Sequence, residues 1–534
     1  MKRMLLLGDE AIAQGALDAG LSGVYAYPGT PSTEITEYIQ KVKEARERGV
    51  HSDWSANEKT AMEAALGMSY AGKRAMVCMK HVGLNVAADG FVNAGITGAN
   101  GGLLVLVADD PSMHSSQNEQ DSRYYGKFAL VPMIEPSNQQ ETYEAAGHAF
   151  ALSEKYATPV LVRITTRLAH SRAGVELSDP RAENDLRLPA DKRQFVLLPS
   201  IARKNYQSLL GKQVAFEEEA ENSPFNKYID AEDRSLGIIA CGIGYNYLME
   251  NFPEGCPHPV LKLSQYPVPR NHVKRMLDEC ERVLILEEGA PFVEEQIRGL
   301  MDATYNILGR LDGTVPRAGE LNPNIVAKSL GREIALTEDK SEIVRPRPPE
   351  LCPGCPHIDS YNALNQALME LEPGRVFSDI GCYTRGALEP FNAINSCVDM
   401  GASITMAKGA ADAGLFPAVA VIGDSTFTHS GMTGLLDAII EDSPITVMIV
   451  DNETTGMTGG QTSSARGKLE DICKGLGVPE DHIRVVEPLK KYHDENVAMI
   501  KEELYHKGVS VIIERRECIQ TAKIARKLAK EVKS

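Results

Sequence analysis

The sequence predicts a multidomain α/β protein, with two parallel-sheet domains flanking a smaller α/β domain. Three observations lead there. The chain has 534 residues, far more than one typical domain. From Met4 to about Thr165, and again from about Leu351, short apolar runs alternate with longer segments of helical period, as parallel strands joined by crossover helices do. Between these stretches the chain first turns charged and irregular and then becomes strand-like again.

In the first stretch MLLL, GVYAY, RAMVCMK, LLVLVA and PVLVRI read as strands of a parallel sheet, and residues 57–72 as an Ala-rich helix. The opening run has two basic residues but its apolar part ends at Gly8-Asp9, too short for a signal peptide, so it reads as a first strand. Residues from about 166 to 235 read as a linker with excursions over the surface. LGIIACG, VLKL and VLILEEG then read as strands of the second domain and 292–308 as a helix; the Pro-rich VRPRPPELCPG marks the last boundary. VFSDIGC, AVAVIGDS, ITVMIVDN and GVSVIIERR read as strands of the third domain and 401–414 as a helix. The expected domains are residues 1–190, 191–345 and 346–534.

The formal charge is −17, and no basic run is present that could track a phosphate backbone, so nucleic acid is not an expected partner. No apolar stretch is long enough to cross a bilayer. The expected location is the cytoplasm, where ten cysteines are packed thiols or metal ligands rather than a disulfide framework.

AVAVIGDSTFTHSG puts a Gly-Asp-Ser turn at the carboxyl end of an apolar strand and before a helix, where open α/β sheets bind ligands. Asp424 sits at that mouth. ITVMIVDN ends in Asn452, and adjacent parallel strands would bring the two side chains together. Both are oxygen ligands of the kind Mg²⁺ takes, with water, phosphate oxygens and a backbone carbonyl, here Thr454, completing an octahedron. Small residues at Gly423 and Ser425 and the following helix N-terminus suit phosphate oxygens. The plainer alternative is an Asp cap and a turn Asn.

Glu58 opens the Ala-rich helix, where it either complements the helix dipole or is a buried carboxylate. Tyr27, Pro28, Gly29 and Thr30 form a tight loop after one strand; His81 and Asn85 follow another and are candidate substrate contacts. Cys352 and Cys355, spaced CPGC, can offer two thiolates to one metal or cluster. Cys382 ends SDIGC and Cys518 lies just past VSVIIERR, so both can reach the same end of one sheet. Cys78, Cys241, Cys256, Cys280, Cys397 and Cys473 lack ligand spacing and read as packing.

GDS followed by DN resembles the diphosphate-metal motif of thiamine-dependent enzymes, usually GDG with a later NN; Ser425 and Asp451 depart from that pattern without removing a metal ligand. YPGTPSTEI, SANEKTAMEAALGMSYAGKRA, MKHVGLNVAADGF, LCPGCPH, SDIGCYT and GDSTFTHSG through DNETTGMTGGQ together resemble the large subunit of indolepyruvate:ferredoxin oxidoreductases over nearly the whole chain. That resemblance implies a pyrimidine-binding thiamine diphosphate domain at 1–190, a middle domain, and a diphosphate- and Mg²⁺-binding domain at 346–534. It makes Glu58 the carboxylate that activates the cofactor's aminopyrimidine, places Thr30 beside cofactor and substrate, and extends the cofactor-binding set to Gly401, Thr426, Gly456, Met457 and Thr458. It makes Cys352, Cys355, Cys382 and Cys518 candidate ligands of one 4Fe-4S cluster.

The implied reaction is oxidative decarboxylation of an aryl 2-oxo acid to an acyl-CoA, with coenzyme A as co-substrate and electrons passed to ferredoxin or another carrier. A smaller beta subunit and a dimer or heterotetramer are the implied assembly. The expected departure from the family is a missing C-terminal ferredoxin-like domain, since the sequence ends in a basic helix, TAKIARKLAKEVKS, which leaves the acceptor open. The alternatives are a non-oxidative decarboxylase releasing an aldehyde and a non-catalytic scaffold subunit.

Overall fold

Four of the five apolar runs of the first stretch lie side by side in a parallel sheet in the computed structural model, which describes residues 2–191, 193–300, 305–333, 350–371, 374–397 and 399–531. The chain divides into two units, Met1–Glu338 and Asp339–Ser534. The strands of the first stretch are β1 (Lys2–Leu7), β2 (Gly23–Ala26), β3 (Ala75–Lys80), β4 (Leu103–Asp109), β5 (Met133–Ile134), β6 (Val160–Thr165) and β7 (Arg172–Leu177). Strands β2, β3, β4, β6 and β5 pair in parallel in that order across the sheet. β4 is buried along its whole length, as a strand covered by helices on both faces must be.

MLLL is the exception. As β1 it pairs antiparallel with β7 in a separate two-stranded ribbon, Lys2 opposite Leu177. Leu6 is buried but Leu5 is exposed, so only one face is covered, which suits an antiparallel ribbon and not the interior of a parallel sheet.

The second sheet of this unit holds β8 (Lys227–Ile229), β9 (Gly237–Cys241), β10 (Val260–Leu263), β12 (Val283–Leu286) and β13 (Ile307–Leu308), ordered β13-β12-β9-β10-β8 with only β8 antiparallel. β11 (Gln265–Tyr266) continues from β10 and pairs antiparallel with β5 of the first sheet, so the two sheets are stitched by one run of chain. At this seam Arg163 is fully buried and donates to Asp109 at 2.6 Å and to Glu135, while Tyr266 Oη donates to Glu135 at 2.6 Å. Each buried charge therefore has a partner, which is what makes its burial tolerable.

Two segments differ from their sequence reading. The expected linker contains β7 and the long helix Pro199–Glu221, in which only Leu209, Phe216 and Ala220 are buried; so thin an apolar stripe leaves a weak helical period. Of the expected helix 292–308, Phe292–Leu300 is helical, whereas Ile307–Leu308 extends the sheet as β13. The boundary expected at 345/346 lies outside the described residues.

The second unit is built on β14 (Val376–Ser378), β15 (Ser396–Cys397), β16 (Ala418–Gly423), β17 (Ile445–Asp451), β20 (Ile483–Val486) and β21 (Ser510–Arg515), with the small hairpin β18 (Thr454–Thr455) and β19 (Gln461–Thr462) beside them. The order is β15-β14-β16-β17-β21-β20, all parallel. Alternate residues feed opposite faces. Val419, Val421, Met448 and Val450 pack with Tyr361, Leu364 and Ile500, whereas Ala420, Ile422, Val447 and Ile449 pack with Ile404, Leu435 and Ala438. Truncating one of these larger aliphatic side chains to Ala costs about 2–5 kcal/mol, so β16 and β17 hold the loops at their carboxyl ends firmly. Among the described residues no helix is long and apolar enough to cross a membrane.

Candidate active site

In the second unit the register decides the site. Gly423 pairs with Val450 on the neighbouring strand, so Asp424 and the Asp451–Asn452 step leave the sheet side by side. Asp424 is almost fully buried, and burial pushes its carboxyl up to about 7, with the nearby Asp451 adding to the effect and hydrogen bonds from Ser463 and the Ser425 and Asn452 backbone opposing it. Its Oδ2 has no hydrogen-bond partner among the described residues. A buried, unpartnered carboxylate oxygen beside an amide oxygen fits a hard divalent cation. Asn452 Oδ1 accepts the Thr454 N–H at 3.2 Å, bringing Thr454 to the same point. Asp451, by contrast, is held by Arg515 Nε at 2.7 Å.

Around this pair the expected cofactor-binding residues form a small hydroxyl and backbone lattice. Ser425 Oγ and Thr455 Oγ1 are 2.8 Å apart, Thr426 Oγ1 donates to the Ile380 carbonyl at 3.1 Å, and Thr458 Oγ1 donates to Gln461 Oε1 at 2.5 Å. Gly456, Met457 and Thr458 make one short helical turn after the β18 hairpin strand. Gly423 must be glycine, since a Cβ there would lie 2.5 Å from the Tyr383 ring.

Sequence reasoning missed Asp379. It directly follows β14 and accepts hydrogen bonds from the Gly401 N–H at 3.2 Å, from Ser403 N–H and Oγ at 3.3 and 2.5 Å, and from Tyr383 Oη. Burial pushes it up to about 7 against these donors. Gly401 thus anchors a helix start to Asp379, a contact that separate motifs do not reveal.

Cys352, Cys355, Cys382 and Cys518 line one cavity of about 250 Å³ with His357, Arg385 and Asn452. Cys352 and Cys355 form a turn closed by the Cys355 N–H donating to the Cys352 carbonyl at 2.9 Å. The Cys518 N–H donates to the Asn452 carbonyl at 3.1 Å, and Gly456 lies so close to Cys382 that a Cβ would sit 3.0 Å from Sγ. The thiol cavity therefore reaches Asn452 and the loop that follows it. Burial pushes the Cys355 thiol up to about 11 and raises that of Cys382, with the other thiols adding to it. Four converging thiols fit a thiolate-held cluster, which deprotonates its ligands. His357 is buried, with both ring nitrogens unpartnered among the described residues. Of the other cysteines, Cys78, Cys241 and Cys473 are buried and Cys256 and Cys280 partly so, whereas Cys397 is exposed on edge strand β15 and does not pack.

In the first unit an extended segment pairs with β2 at His51 and Trp54, which delivers Asn57 and Glu58 to the carboxyl end of the sheet. Asn57 Oδ1 caps the helix Glu58–Tyr70 through the Thr60 N–H at 2.8 Å. Glu58 is buried against Gly83, where a Cβ would come 2.7 Å from Glu58 Cγ and Oε1. The loop of Tyr27, Pro28, Gly29 and Thr30 leaves β2 beside Lys80: Gly29 lies against the Lys80 stem, and Ser115 links the two by accepting from Lys80 Nζ at 3.1 Å and donating to the Thr30 carbonyl at 3.5 Å. Burial lowers the Lys80 ammonium, opposed by Asp110 and Glu58. Lys80 was also missed; it reads as the last residue of a strand. His81 is buried, its Nε2 donates to the Asn118 carbonyl at 3.1 Å, and its Nδ1 is unpartnered among the described residues. Asn85 is exposed, and its Oδ1 accepts from Tyr125 Oη at 2.6 Å.

Comparison with known proteins agrees with these two halves. Residues 14–218 match the family described as Pyruvate flavodoxin/ferredoxin oxidoreductase, thiamine diP-bdg, and residues 379–513 match Thiamine pyrophosphate enzyme, C-terminal TPP binding domain. Fold, loops and matches define a thiamine diphosphate-dependent 2-oxo acid oxidoreductase. An Archaeoglobus fulgidus protein named Indolepyruvate oxidoreductase subunit IorA is 39% identical over 97% of this chain and 86% of its own length. Proteins of the same name from Thermococcus kodakarensis and Methanothermobacter marburgensis are 40% and 38% identical over 97% of this chain and 86% and 87% of their own lengths. The chain belongs to the indolepyruvate oxidoreductase subunit IorA family.

Proposed function

We propose that this chain is the thiamine-binding large subunit of an enzyme that oxidatively decarboxylates an aryl 2-oxo acid, of the indolepyruvate type, to an acyl-CoA. Cys352, Cys355, Cys382 and Cys518 would hold a 4Fe-4S cluster, which would supply an electron path to ferredoxin or a related carrier, with coenzyme A as the acyl acceptor. The names of its relatives support the substrate class. One observation carries the oxidative reading: four cysteines surround a cavity that also reaches Asn452, so electrons have a short exit beside the cofactor's metal.

When bound, thiamine diphosphate supplies the electron sink for decarboxylation. Asp424, Asn452 and the Thr454 carbonyl hold Mg²⁺, while Gly423, Ser425 and Thr426, with Gly401, Gly456, Met457 and Thr458, surround the diphosphate. Glu58 holds a proton toward the aminopyrimidine ring nitrogen. Tyr27, Pro28, Gly29 and Thr30 border the cofactor, and His81 Nδ1 faces the substrate; Asn85 holds Tyr125 at the rim. A smaller beta subunit completes a dimer or heterotetramer.

The test is the iron and acid-labile sulfide content of anaerobically purified protein, with a low-temperature EPR spectrum after reduction. About four irons per chain, lost in Cys382→Ser and Cys518→Ser, is the expected result. A soluble, thiamine-binding protein without iron that releases aldehyde would overturn the oxidative reading.

A further inference from the structure

A separate group of donors lies elsewhere in the first unit. Asp9 stands in the first turn of the helix Gly8–Asp18, Glu34 in the first turn of Thr33–Lys41, and His170 ends Thr166–His170. One ligand atom from each lies within 4.8 Å of the other two, and His170 Nε2 is 3.7 Å from Glu34 Oε2.

Asp9 is fully buried, yet among the described residues neither of its oxygens accepts an N–H or hydroxyl hydrogen bond. The group it faces is the Glu34 carboxyl, with Glu10 and Cys78 further off. Burial and Glu34 together hold the Asp9 carboxyl well above the usual carboxylate range. Glu34 takes a hydrogen bond from His170 while Asp9 has no donor among the described residues, so the two facing carboxyls need a proton or a cation between them. Glu34 and His170 side chains are 39% and 35% exposed, so an ion has a path from solvent and room for water ligands.

We propose that Asp9, Glu34 and His170 bind a divalent transition-metal ion. Two carboxylate oxygens and one imidazole nitrogen suit Mn²⁺, Fe²⁺ or Zn²⁺, the imidazole disfavouring Ca²⁺ and Mg²⁺. The site uses none of the residues assigned to thiamine diphosphate, Mg²⁺ or the thiol cavity. Its position gives it a role. The helix carrying Glu34 begins just after the Tyr27–Thr30 loop, and Gly29 N–H donates to Thr33 Oγ1 at 3.0 Å. An ion here ties that helix to two others and fixes the loop from behind.

Mn²⁺ is the probe, because thiolates are poor ligands for it and the cysteine cavity does not interfere. Free Mn²⁺ is counted by EPR during titration of the full-length chain with thiamine diphosphate present. The wild type is expected to bind one more Mn²⁺ than Asp9→Asn and than His170→Ala, and Asp424→Asn to keep that additional ion. His170 is at the surface, so its variant folds even if the Asp9 variant does not. Equal Mn²⁺ counts in the wild type and His170→Ala would overturn the proposal, leaving Asp9 and Glu34 as a carboxyl pair that shares a proton.

Discussion

Gly83→Ala tests how Glu58 is held. The added Cβ would lie 2.7 Å from Glu58 Cγ and Oε1, against an ordinary carbon contact of about 3.5–4.0 Å, so the carboxyl must retreat by roughly 1 Å. A hydrogen bond useful in proton transfer spans only about 2.6–3.2 Å, and losing such a group costs about 10²–10⁴ in rate. Turnover should therefore fall by at least about 10²-fold, toward that of Glu58→Gln. Stability should change far less. Overpacking costs about 1–3 kcal/mol, while replacing a helical Gly by Ala returns about 1 kcal/mol, leaving a net loss of about 0–2 kcal/mol. Gly90→Ala on the same helix is the control, since its Cβ would meet the flexible Met62 side chain at 3.3 Å and Glu63 Cγ at an ordinary 3.9 Å. The assay is the rate of dye reduction with saturating thiamine diphosphate and 2-oxo acid, alongside urea unfolding midpoints. Wild-type turnover in Gly83→Ala beside an inactive Glu58→Gln would refute the positioning argument; wild-type turnover in both would refute the role of Glu58.

Asp424→Asn should fold normally yet lose at least about tenfold in Mg²⁺–thiamine diphosphate affinity by calorimetry, because it removes the only charge among the three proposed cation ligands. Cys397→Ser should retain the iron that Cys518→Ser loses, since Cys397 is exposed and does not line the thiol cavity; equal iron in both variants would move the cluster elsewhere. Glu514 is fully buried, and burial raises its carboxyl from 4.5 to about 7. The folded protein thus holds this proton more tightly than the unfolded chain, so stability declines as pH rises from 4.5 to about 7 and stays reduced above that. The loss is at most about 3 kcal/mol. Glu514→Gln should match the wild type at about pH 4 and exceed it at about pH 8 in urea midpoint, and an offset independent of pH would refute this.

The two parallel sheets of thiamine-enzyme type were legible in the sequence because strands buried on both faces are continuous apolar runs, and β16 and β17 are such runs. Asp424 and Asn452 were legible for the same reason: each directly follows a strand of that kind, and neighbouring parallel strands bring their ends together. What depends on lateral contact was not. MLLL has the composition of a parallel strand, but coverage of one face only sends it into a ribbon with β7. The helix Pro199–Glu221 buries too few side chains to impose a period. Asp379, His357 and Lys80 stand at unremarkable positions along the chain and gain importance from what folds around them: hydrogen-bond donors from a distant helix start, four thiols, and a glycine loop. Periodicity records which face of an element is buried. Which side chains meet across elements, and whether a buried carboxyl finds a donor there, is settled only when the elements pack.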